Sequence, residues 1–220
     1  METAAIAATV SPQQCSLYIE FILSRPGVVG DGGYIEAMNA APAAVRGQAG
    51  FGQPLPAAIL AAARGGDRQA QGEIYRLYAD AVYTLALRTT GCAEQAQDVA
   101  HDAFINGLRG LKGYRGEAPF GLWLRQIVAR VAVAHVRKQR PELGAAALEE
   151  HAPALQEDPS AGCDLNRQLA RLPAQTRTVL WLHLAEGYGH EEIAEMFGKS
   201  VSFSKSQVAR SLGRLRQWMS

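Results

Sequence analysis

Residues 189–208 read GHEEIAEMFGKSVSFSKSQV. Ile193, Ala194 and Phe197 are spaced as one helical face, Gly198 interrupts, and Val201 and Val208 resume the spacing, which predicts helix, turn and helix. Gly198 suits the left-handed backbone that ends a helix, and Ala194 is small where two helices must cross. Both are mechanical requirements of a helix-turn-helix. One residue departs from the pattern. Ser204 stands where the second helix should turn an apolar group inward, a loss of ~1–2 kcal/mol of burial unless its hydroxyl bonds back to the preceding turn. Taken alone, the stretch is equally well an ordinary helical hairpin.

Working outward, the second helix extends over Val201–Met219, with Val201, Val208, Leu212 and Leu215 on one stripe. Ser202, Phe203, Ser206, Arg210 and Arg214 fall roughly opposite by the same period. That face can enter a major groove, with Lys205 and Arg214 reaching phosphates, Arg210 a base or a phosphate, and Gln207 an adenine. Phe203 either tucks beneath the helix or points at thymine methyls. Upstream, helices are predicted near Asp164–Arg171, Ala174–Ala185 and His190–Phe197. Residues 164–220 therefore make a compact helical module.

Residues 142–163 are acidic, Ala-rich and interrupted by proline, the composition of a flexible linker. Before it, residues 57–141 carry helical spacing near Pro56–Ala63, Gln69–Gly91, Ala93–Leu111 and from Pro119 to Pro141, with the loop GLKGYRGEA between the last two. No run of alternating strand residues follows Leu55, so the expected fold is all-α, two small helical domains joined by the acidic linker. Residues 1–56 are rich in Ala, Gly and Pro and are expected to be an irregular extension, with Met38 as a second candidate start.

The net charge of +1 conceals its distribution. Residues 1–63 sum to −2, 64–141 to +5, 142–164 to −6 and 165–220 to +4. Two basic blocks flanking an acidic connector suit a two-part binder of a polyanion. Cys15, Cys92 and Cys163 are odd in number and lack metal spacing, so neither a disulfide framework nor a zinc site is expected. The apolar run LYIEFIL contains Glu20 and soon meets Arg25 and Pro26, which argues against a signal peptide or a membrane span. A cytoplasmic protein without membrane insertion is the expectation.

The four segments YRLYADAVYTLALR, EQAQDVAHDAFINGL, YRGEAPFGLWLRQIV and LPAQTRTVLWLHLAEGYGHEEIAEMFGKS, in this order, resemble bacterial RNA polymerase sigma factors of the extracytoplasmic-function class. The resemblance spans about residues 67–219 and implies a region 2-like domain, a region 4-like helix-turn-helix domain, and core RNA polymerase and promoter DNA as partners. An anti-sigma factor is a further partner it suggests. By the resemblance, Asp98, Val99, Asp102, Ala103 and Phe104 dock on the polymerase clamp. Lys112, Tyr114, Arg115, Trp123, Arg125, Arg130, Arg137 and Lys138 engage the minus-ten element, where interleaved aromatic and basic groups can hold an unpaired strand. Ser202, Phe203, Lys205, Ser206, Gln207, Arg210 and Arg214 read the minus-thirty-five element as duplex. Several residues differ from the family pattern: Arg130 for a usual Asn, Ala134 for Asp, Ser204 for a buried Val, and Gln207 for Arg.

A sigma-like decoy that binds an anti-sigma factor or polymerase without reading promoters is the alternative, favoured by those departures; the basic balance of both domains favours the reader. No catalytic constellation is present. His101, His135, His151, His183 and His190 are scattered and no phosphate-cradling loop precedes a helix, so neither an enzyme nor a cofactor is expected.

Overall fold

The structure, a computed structural model, describes residues 50–139 and 168–219. The expected linker and nearly all of the N-terminal extension lie outside the described residues. Seven α-helices are present among those described: α1 (Ala57–Arg64), α2 (Arg68–Thr90), α3 (Ala93–Gly110), α4 (Phe120–Lys138), α5 (Ala174–Leu184), α6 (His190–Phe197) and α7 (Val201–Met219). A 3-10 turn, Leu111–Gly113, follows α3. The described residues contain no strand, and the protein is an all-α, two-domain molecule.

Helices α1–α4 form the first bundle. Ile74, Tyr78, Val82 and Leu85 of α2 are buried against Leu124, Val128 and Val133 of α4, the stripe their spacing predicted. Asp67 caps α2 by accepting the Gln69 N–H, and Gly91 ends it with φ 70°. The bundle also takes in Phe51, which the sequence reading left in the irregular extension. Its side chain is buried, Gln53 offers its carbonyl to the Tyr78 hydroxyl at 2.7 Å, and a Cβ on Gly121 would stand 1.9 Å from the Phe51 carbonyl oxygen. Gly121 is thus required by a close backbone approach.

In the second bundle, α5 is buried on every side, from Thr176 to Leu184, because it lies between α6 and α7 on one side and α2 and α4 on the other. Where α5 is polar, at Thr176, Arg177, Thr178 and His183, those side chains are hydrogen-bonded within the fold. Gly198 ends α6 in the left-handed region at φ 61° and passes the chain to α7, as the opening stretch predicted.

Candidate polymerase and nucleic-acid interfaces

Helix α3 divides its predicted docking residues between two sides. Asp98 and Asp102 are exposed, whereas Val99 and Ala103 are fully buried. Val99 packs with Ala86, Ala96 and Ala132, so it and Ala103 hold the helix rather than meet a partner. Phe104 is mostly buried, its ring 4.6 Å from that of Tyr75. Tyr75, which sequence reasoning missed, is 54% exposed and shields the Phe104 ring. Spacing leaves it off the buried stripe of α2, and nothing in the sequence ties it to Phe104.

The loop after α3 presents Lys112 and Arg115 to solvent. Tyr114 is not splayed outward. Its ring meets Phe120 edge-on at 5.4 Å and Trp123 at 5.2 Å, and its hydroxyl donates to the Ala118 carbonyl at 2.6 Å. Tyr114 and Trp123 are therefore half-buried members of an aromatic cluster that supports the loop, a correction to their expected role as stacking platforms. Arg130, Arg137 and Lys138 form an exposed basic strip farther along α4.

Arg125 is the larger correction. Instead of facing solvent, it crosses to the second bundle, donating to the Glu186 carbonyl at 2.8 Å, pairing with the Glu186 carboxylate at 3.6 Å and lying 5.0 Å over the Tyr188 ring. Burial pushes the Glu186 carboxyl up to about 7, partly opposed by the Arg125 charge. Trp181 donates its indole N–H to the other carboxylate oxygen at 3.2 Å. Nearby, Arg177 is buried and donates to the carbonyls of Thr89 and Thr90 at the end of α2, and of Ala170 and Leu172 in its own bundle. A cation there answers the negative end of the α2 dipole. Burial lowers this guanidinium to about 10. Gly91 is doubly constrained, since a Cβ would fall 2.4 Å from the Arg177 guanidinium carbon.

On α7, Ser202, Lys205 and Arg210 are exposed, and Arg214 is half-buried. Ser206 receives a hydrogen bond from Arg210 at 3.1 Å, which aligns that guanidinium along the outer face. Phe203 tucks inward, 5.7 Å from Phe197, so of the two sequence alternatives the structure takes packing. Gln207 contradicts its predicted role as an adenine reader. It is buried, and its amide oxygen accepts from the Thr176 hydroxyl at 2.8 Å, joining α7 to α5. Ser204 is also fully buried, and its hydroxyl meets His190 Nδ1 at 3.0 Å instead of bonding back along α7. His190 in turn stacks on His183 at 4.0 Å, and His183 Nδ1 donates to the Tyr188 carbonyl at 2.9 Å. Burial holds His183 below its ordinary value.

Comparison with known proteins bears on the same two bundles. The Sigma-70 region 2 family matches residues 74–142, and the Sigma-70 region 4 family matches residues 164–215. The extracytoplasmic-function sigma factor SigM of Mycobacterium tuberculosis (strain ATCC 25618 / H37Rv) is 30% identical over 173 residues, covering 76% of this chain and 87% of that protein. The chain belongs to the extracytoplasmic-function sigma factor family. SigW of Bacillus subtilis is 26% identical over 168 residues, covering 69% and 90% of the two chains. Among solved structures, the sigma factor RpoE of Bartonella quintana in complex with the anti-sigma factor NepR is 20% identical with a TM-score of 0.46, covering 67% of this chain and 95% of that one.

As a sigma factor, the protein binds core RNA polymerase and directs initiation from promoters carrying minus-ten and minus-thirty-five elements. The region 2 match runs from within α2 through α4, and the region 4 match takes in α5, α6 and most of α7. No helix among the described residues is long and apolar enough to cross a membrane.

Proposed function

We propose that this sigma factor uses three surfaces: the edge of Asp98, Asp102, Tyr75 and the Phe104 rim for the polymerase clamp; Lys112, Arg115, Arg130, Arg137 and Lys138 for the minus-ten strand; and Ser202, Lys205, Ser206, Arg210 and Arg214 for the minus-thirty-five duplex. The observation that carries the reading is the exposed basic face of α7, on the second helix of a helix-turn-helix. The protein acts in the cytoplasm as a polymerase subunit, with no chemistry of its own.

The seam between the bundles adds a condition. Elements named minus-ten and minus-thirty-five lie about 25 base pairs apart, roughly 85 Å of duplex at ~3.4 Å per pair. A compact body of this many residues is only ~40 Å across. Regions 2 and 4 must therefore part before both elements are held, and parting also releases Arg125.

Run-off transcription with core polymerase tests the reading. Lys205→Ala with Arg210→Ala is expected to abolish transcription from a promoter that needs its minus-thirty-five element while leaving core binding intact. Retained promoter binding by that variant favours the decoy. Sequencing of transcripts after overexpression identifies the promoters.

A further inference from the structure

Arg64, the last residue of α1, lies outside every surface described above, yet its side chain reaches beneath the Lys112–Arg115 loop. Its Nε donates to the Leu111 carbonyl at 3.1 Å, a terminal nitrogen donates to the Tyr114 carbonyl, and the guanidinium carbon sits 5.6 Å over the Tyr114 ring. One planar fork thus spans both ends of the 3-10 turn.

The loop needs such a tether. Gly113 and Gly116, the latter at φ 79°, have open space where a Cβ would stand, so no side chain of their own holds them and the loop depends on the anchoring of Leu111 and Tyr114 between and beside them. The ion pair between Arg115 and Glu117, at 3.8 Å, is solvent-exposed and contributes little order. Arg64 is itself well seated. Ala63 beside it is buried, and Gln71 donates to the Ala63 carbonyl at 3.2 Å, locking the end of α1 to α2.

We infer that Arg64 is a positioning residue for promoter selection: by holding the Leu111 and Tyr114 carbonyls, it fixes the register in which Lys112 and Arg115 meet the minus-ten strand. This rests on the reading that the loop engages that element. A base-selective contact demands sub-ångström placement, whereas polymerase docking, on the α3 edge, does not depend on the loop.

The test is transcription by the reconstituted holoenzyme from a promoter library in which the minus-ten and minus-thirty-five elements are separately randomised. Arg64→Ala is expected to flatten base preference at the minus-ten positions and to leave the minus-thirty-five profile and core affinity unchanged. Arg64→Lys keeps the aliphatic stem and the charge but not the fork, so it serves if the alanine variant fails to fold; the same flattening is expected. Unchanged minus-ten preference in a folded Arg64→Lys overturns the inference, and so does equal loss at both elements. If Lys112→Ala with Arg115→Ala shifts the minus-ten profile while the Arg64 variants do not, the inference falls and the loop reading stands. If the loop variant also leaves the profile unchanged, the loop reading falls with it.

Discussion

Arg125 of region 2 and Glu186 of region 4 meet across the seam between the two bundles at 3.6 Å, with both side chains largely withdrawn from water. A buried pair of this kind adds little net stability, because desolvation offsets most of the attraction, but removing one partner strands the other. Its consequence here concerns geometry, since a residue that the sequence assigned to promoter DNA is held by the opposite domain.

If the seam opens on a promoter, dyes at Glu94 of α3 and Gln217 of α7, both exposed positions, should report a short separation in the isolated protein and a much longer one in the promoter-bound holoenzyme. The native cysteines are replaced by serine for labelling. Equal transfer efficiency in the two states would falsify opening.

Glu186 predicts a pH dependence. Its carboxyl is raised from 4.5 to about 7 by burial, so the folded state retains a proton that the unfolded chain has already released. Stability from this group is therefore present below 4.5 and is progressively lost as pH rises to about 7. His183, lowered by burial, acts in the opposite sense, gaining stability as pH rises towards 6.5 and changing little above it. Comparing wild type with Glu186→Gln cancels the histidine, and the melting temperature of the glutamine variant should improve relative to wild type between pH 5 and pH 8. A constant difference across that range would contradict the assignment.

Ser204 is predicted to be a partner rather than a packing defect. Ser204→Val gains a buried methyl group but gives up the hydroxyl's bond to His190 Nδ1, so it should fail to stabilise region 4 and is expected to cost about 1 kcal/mol. A double-mutant cycle of Ser204→Ala and His190→Ala should show coupling of ~0.5–1.5 kcal/mol by chemical denaturation. Additive effects would leave the hydroxyl without a role.

For Gln207, the bond to Thr176 predicts that Gln207→Ala lowers stability by about 1–3 kcal/mol and leaves minus-thirty-five base preference intact. A changed preference at an adenine with unchanged stability would restore the sequence-based role.

Helix positions and the helix-turn-helix geometry were legible because they follow from local rules. α6 and α7 fall at the predicted His190–Phe197 and Val201–Met219, since apolar period and a glycine stop act within a few residues of one another. The site was less legible. Val99 and Asp98 are adjacent in the same docking block, yet one is core and the other surface, and Tyr75 had no link to that block until its ring was seen 4.6 Å from Phe104. Arg64 carried no signal at all, because its acceptors are carbonyls 47 and 50 residues away.

By itself, then, the sequence determined the all-α class, the two-domain order and the family, through periodicity and four blocks in register. Only the tertiary structure decided which polar groups remain available. Arg125, Gln207 and Ser204 each found a partner on another segment, Arg125 in the turn between α5 and α6 and the other two on neighbouring helices, because a polar group removed from water must be paired, and that partner is set by packing between segments that no local spacing describes.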